Sequence, residues 1–243
     1  MKRIVSTFLF IILLIITPSL PAYAVDEQIP TDDCSNYVEI HGGDAEQQRK
    51  NQEILSRKPN FEGVSMYGWG YGCIGDFPIY QQETSYYCGP ACLQMVIEYL
   101  TGTKYSQSTL ATKAGTASSG GTYVYRMANT LNDLQSENEY GYKQFTRSTT
   151  TASTLEGCLT GAHSSSYPVI YHAMTGSLAL YNGTNLGHYV VGVAISCNGG
   201  MHVAYVDPYY RDYGRGSVFG LHTDTLSAFY DSLTKYASRY LIF

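Results

Sequence analysis

Hydrophobic positions are distributed very unevenly along this chain. A 13-residue, mostly apolar run from Ile4 to Ile16 follows Lys2 and Arg3 and is broken by Pro18 and Pro21. From Val25 to about Asp76 the sequence is polar and irregular, with one helical candidate from Asp44 to Lys58 whose apolar residues are too few to build a core. From Cys88 to Leu100 the pattern changes. Ala91, Cys92, Met95, Val96 and Tyr99 recur at i+3 and i+4 spacing, which predicts a helix buried along one stripe, and Gly102 stands where a helix C-cap glycine belongs. A short helix is expected from Ser108 to Ala114, stopped by Gly115. Thr122 is a candidate N-cap for a helix running to about Leu134, and a further helix is expected near Ser153–Ala162. Beyond Pro168 the composition turns β-branched and aromatic. Strands are predicted at Val169–Ala173, His188–Ile195 and Met201–Asp207, with Asn-Gly turns at Asn182-Gly183 and Asn198-Gly199, then a helix from Thr223 to about Leu233 and a last strand at Arg239–Phe243. Helices precede strands, a segregation that favours an α+β fold with an antiparallel sheet over a doubly wound one.

The N-terminal run reads as an address. A basic start, a short apolar stretch and the small-x-small sequence Ala22-Tyr23-Ala24 predict a signal peptide over residues 1–24. Thirteen apolar residues fall short of the roughly 20 needed to span a bilayer, so no integral membrane span is expected after cleavage and the protein is expected to be secreted. Residues 25–76 then form an extension, either a pro-segment or a strap, ahead of a domain over residues 77–243. The chain is 243 residues long, 44% hydrophobic and 14% charged, a globular composition. Its 15 lysines and arginines against 20 acids, with no basic cluster longer than a pair, exclude nucleic acid as an expected partner.

Export changes the meaning of the six cysteines, because an oxidising compartment pairs thiols unless chemistry reserves one. Cys88 opens the predicted helix, where unsatisfied backbone N–H groups and the positive end of the helix dipole favour a thiolate. Gln82, or its neighbour Gln81, could fold its amide back beside the Cys88 N–H, giving two donors for a developing oxyanion. A disulfide or core role for Cys88 competes with this reading. A cysteine nucleophile needs a base, and the chain offers His41, His163, His172, His188, His202 and His222. If Asn198-Gly199 is a two-residue hairpin turn, paired residue numbers sum to 397, which sets Asp207 opposite Val190 and makes His188 its same-face diagonal neighbour. A carboxylate there can fix the tautomer and orientation of the imidazole. His202 pairs with Ile195 in that register and points to the opposite face. A satisfied strand histidine and an Asp-Pro turn are the bland readings of the pair. No CxxC or HxxxH spacing occurs, so no metal is expected.

The runs QETSYYCGPACLQMVIEYL, PVIYH, GHYVVGVAI and VAYVDPYY resemble the papain-like cysteine peptidases related to bacteriocin-leader (double-glycine) peptidases. The resemblance covers roughly Pro78 to the C-terminus. It implies a papain-like α+β fold, with a helical half carrying the nucleophile and packed on an antiparallel half, and a peptide or protein substrate in the cleft between them. It also implies Cys88 as nucleophile, His188 as general base, Asp207 as orienting acid, and Gln82 rather than Gln81 as the oxyanion-hole glutamine, with no cofactor. An acyl transferase or transpeptidase on the same fold would use the same residues, and a non-catalytic peptide-binding module would keep them as a vestige. Reserving Cys88 leaves Cys92 as a buried thiol and favours Cys34–Cys73 and Cys158–Cys197 as disulfides. Gly42-Gly43, preceded by Ile40 and Tyr37, resembles a leader cleavage site. The simpler reading makes it the turn before the Asp44 helix, with Asp44 as N-cap.

Overall fold

Every strand near the middle of the sheet is apolar on both faces, and the architecture explains why. The computed structural model describes residues 41–58, 70–72, 75–197 and 199–243. The apolar N-terminal run, the expected cleavage site, Cys34 and Cys73 lie outside them. The elements are α1 (Ala45–Arg57), β1 (Tyr71–Gly72), α2 (Cys88–Thr101), α3 (Gln107–Lys113), α4 (Val124–Leu134), β2 (Tyr142–Phe145), α5 (Ala152–Ser164), β3 (Val169–Met174), β4 (Gly187–Ser196), β5 (His202–Asp207), β6 (Gly220–Thr225), α6 (Leu226–Thr234) and β7 (Arg239–Ile242). The strands pair antiparallel in the order β2-β7-β3-β4-β5-β6, with β1 added to β4. One face, through Tyr189, Val191, Val193 and Val206, packs on Leu93, Val96, Met127 and Leu131 of α2 and α4. The other, through Tyr171, Val190, Val203 and Tyr205, packs on Leu155 and Leu159 of α5 and Phe229 and Leu233 of α6. The α+β expectation holds, with helices on both faces of the sheet rather than on one. Strands buried on both sides lose the alternation that marks a half-exposed strand.

α2 also departs from a one-sided helix. Gly89 to Ile97 are all buried, because α3 and α4 close over the side that the sheet leaves open. Gly102 ends it in the left-handed region at φ +68°, as the sequence predicts. α4 starts at Val124 after Tyr123, so Thr122 is not its cap. Thr122 instead shares a hydrogen bond with Thr116 (2.7 Å), and its carbonyl accepts from the Tyr189 hydroxyl (2.7 Å). Residues 220–225, part of which reads as helix, form edge strand β6, and the helix begins only after Thr225, whose hydroxyl accepts from the Ala228 N–H.

The polar segment around α1 is strapped to the sheet edge. Asn51 is buried, and its amide both donates to the Tyr142 carbonyl (2.8 Å) and accepts from the Tyr142 N–H (2.8 Å), as a neighbouring strand would. Asp44 caps α1 by accepting from the Gln47 N–H at 2.9 Å. Gly42 and Gly43 are buried. Gly43 lies at φ +79°, and the Gly42 and Gly43 carbonyls accept from the Tyr142 hydroxyl and the Gln48 amide. Asp44 is thus the N-cap that the simpler reading expects, with Gly43 in a left-handed turn just before it. No disulfide joins Cys158 to Cys197, contrary to expectation. Cys158 faces inward from α5 into the apolar cluster with Leu155 and Leu159, whereas Cys197 follows the end of β4.

Candidate active site

Cys88 is the first residue of α2. Its N-cap, Tyr87, makes no side-chain capping bond, so the backbone N–H groups of the first turn are not consumed by a cap. The next residue must be glycine for this turn to sit where it does. A Cβ on Gly89 would lie 2.6 Å from Thr122 Oγ1. Cys88 is partly exposed while Cys92, one turn on, is buried, and neither is in a disulfide. Burial pushes the Cys92 thiol well above the ordinary range, consistent with a thiol that only fills space.

His188 and Asp207 meet by way of an irregular hairpin. Near the turn the pairs are Ser196↔His202, Ile195↔Val203 and Ala194↔Ala204, one residue out from the expected register, so His202 faces Ser196 and not Ile195. A bulge between Gly192 and Ala194 absorbs the extra residue, and beyond it Gly192↔Tyr205 and Val191↔Val206 follow the expected sum. The bulge also swaps faces, so Val193 packs against α2 while Ile195 packs on the α5 side. One step further along, His188 Nε2 lies 2.9 Å from Asp207 Oδ1, with both residues buried. A carboxylate oxygen only accepts, so Nε2 carries the shared proton and Nδ1 is left for the Cys88 thiol.

Asp207 is completely buried and fully engaged. Oδ1 also accepts from the Tyr209 N–H (2.8 Å), and Oδ2 accepts from the Tyr181 hydroxyl (2.8 Å). Burial, and then the Asp207 charge, push the Tyr181 phenol well above its ordinary range, so it remains a donor. Tyr181 sits in a 3-10 turn (Ala179–Tyr181) and carries no periodic signal; the adjacent Asn182-Gly183 marks only a turn. The Tyr181 and Tyr209 ring centroids lie 6.1 and 5.6 Å from that of the imidazole. Burial works against its charged form. The charge and hydrogen bond of Asp207, joined by those of Cys88, overcome this and raise His188 to about 10. Among the described residues, no carboxylate offsets burial at His41, His163 or His172. Burial lowers His41 and His163 to about 4 and His172 well below the ordinary value.

Of the two adjacent glutamines, Gln82 is buried and Gln81 exposed. Gln82 Nε2 donates to the Thr84 carbonyl at 2.7 Å, which uses one of its two hydrogens, and Oε1 is buried with no partner among the described residues. Its backbone N–H donates to the Pro208 carbonyl at 2.8 Å, joining the approach to Cys88 to the chain just after Asp207. Among the described residues no group of three potential metal ligands converges, and no helix is long and apolar enough to cross a membrane.

The family described as Peptidase_C39 like matches residues 74–238. The chain belongs to this family. It is a cysteine-type peptidase, and a peptide is its class of substrate. Among solved structures, it is similar to the peptidase domain of Streptococcus ComA, described as a bi-functional ABC transporter involved in quorum sensing, at 16% identity, 68% coverage of this chain, 97% of that chain and TM-score 0.42. It is similar to a C39-like peptidase from Bacillus anthracis at 12% identity, 71% coverage of this chain, 96% of that chain and TM-score 0.43. It is also similar to bromelain from Ananas comosus at 11% identity, 72% coverage of this chain, 98% of that chain and TM-score 0.46. No curated protein matches.

Proposed function

We propose that the protein is an exported peptidase that cleaves peptide bonds through a thioester on Cys88. The observation that carries the reading is the buried His188–Asp207 pair at 2.9 Å, whose second ring nitrogen is left for the Cys88 thiol. His188 Nδ1 takes the Sγ proton, leaving a thiolate at the start of α2 beside an imidazolium. The thiolate attacks the scissile carbonyl, and the oxyanion accepts from the Cys88 N–H and the remaining Gln82 Nε2 hydrogen. The C–N bond breaks as the imidazolium gives its proton to the leaving amine. Water, deprotonated by His188, then attacks the thioester, releasing the acid and returning the proton to sulfur. Asp207 keeps the ring in the required tautomer throughout. The substrate lies in the cleft between the start of α2, the start of β4 and the end of β5. Export rests on the character of residues 1–24.

The test is to profile the protein lacking residues 1–24 on a diverse peptide library, beside Cys88→Ala. Peptide cleavage by the wild type alone supports the reading, and cleavage by both overturns it.

A further inference from the structure

The segment that carries Gln82 is gripped by a buried amide from another helix. Gln107, the first residue of α3, is 2% exposed. Its Oε1 accepts from the Glu83 N–H at 2.9 Å, and its Nε2 donates to the Gln81 carbonyl at 2.8 Å. One side chain thus holds the chain on both sides of Gln82. The second Nε2 hydrogen goes to Gln94 Oε1 (3.2 Å), and Gln94 in turn donates from Nε2 to the Tyr105 carbonyl (2.6 Å). The Gln94 contact fixes which end of the Gln107 amide is oxygen, because only a donor can face Gln94 Oε1 and the Gln81 carbonyl together. With the Gln82 N–H bound to the Pro208 carbonyl, three consecutive residues are held against both the nucleophile helix and the strand end that carries Asp207.

A loop needs no such grip merely to reach a helix, whereas an oxyanion donor must be placed to a fraction of an ångström before charge develops. We propose that Gln107 is a positioning residue, acting through Gln82 to hold the side-chain donor of the oxyanion hole. The inference rests on the mechanism above and adds a residue to it that touches neither substrate nor the reacting atoms.

A double-mutant cycle on kcat for a cleaved peptide separates this role from general structural support. Gln107→Ala should lower kcat about tenfold with KM within about twofold, and Gln82→Ala about a hundredfold. Gln82→Ala/Gln107→Ala should be no slower than Gln82→Ala beyond about twofold, because Gln107 then has nothing left to position. Iodoacetamide labelling of Cys88 should be unchanged in Gln107→Ala, since the Cys88–His188 pair is untouched. Gln107→Met, which keeps the volume, gives the same cycle should the alanine variant fail to fold. A tenfold loss that persists on the Gln82→Ala background, or full activity of Gln107→Met, overturns the proposal while leaving the mechanism intact. Full activity of Gln82→Ala overturns both.

Discussion

Burial alone would strip His188 of its proton, and the contrast with His163 and His172 shows how much the Asp207 carboxylate changes. A folded-state value of about 10 against roughly 6.5 in the unfolded chain means the protonated ring favours folding. That contribution is complete below about pH 6.5 and fades as pH rises through about 10. Thermal melts across this window should therefore show the wild type losing stability towards pH 10, whereas Asp207→Asn, less stable at neutral pH, should have a flatter profile; parallel profiles would contradict the assignment. Tyr181→Phe removes the hydroxyl that donates to Asp207 Oδ2. It should cost about 2 kcal/mol and pull the alkaline limb of the pH–rate profile, but not KM. Cys88 was legible as a helix start, whereas the His188–Asp207 pairing came out of a two-residue-turn register that fails near the turn and is restored only by the bulge between Gly192 and Ala194. Tyr181 was not legible, because a 3-10 turn has no periodicity and only the folded chain brings it beside Asp207.

At the level of elements, α1 and the first turn of α2 make the sharpest claims. Asn51→Ala leaves the Tyr142 N–H and carbonyl without their partner. It should cost about 2 kcal/mol, a fall of about 6 °C in Tm, with kcat unchanged because the contact is remote from Cys88. Gly89→Ala drives a methyl group towards Thr122 and should reduce kcat and slow Cys88 alkylation together; normal alkylation in a stably folded variant would show that the turn tolerates the shift. The Gly102 cap, the central strands and the later helices were readable because each follows from a short run of residues. β1, β2 and β6 were missed: they are short or lie at the sheet edge, and β1 and β6 bury no residue, so no apolar run marks them. The hairpin register was right only on the Asp207 side, since the bulge that corrects it has no signature in a run of uniformly apolar residues.

For the whole molecule, a sheet covered on both faces has only its edges to protect, and α1 covers the β2 edge through Asn51. Residues 77–243 alone should therefore aggregate or melt earlier than a chain that retains the strap, as gel filtration and thermal melts would reveal. A monomer of undiminished Tm would instead make residues 25–76 a dispensable pro-segment. The central claim is that turnover passes through a thioester at Cys88. Acid quenching during turnover of an activated peptide ester, followed by mass mapping, tests it most directly. The account predicts an acyl adduct on the peptide containing Cys88, released by hydroxylamine and absent from Cys88→Ala. Turnover with no such adduct, or with the acyl group on another residue, would contradict it.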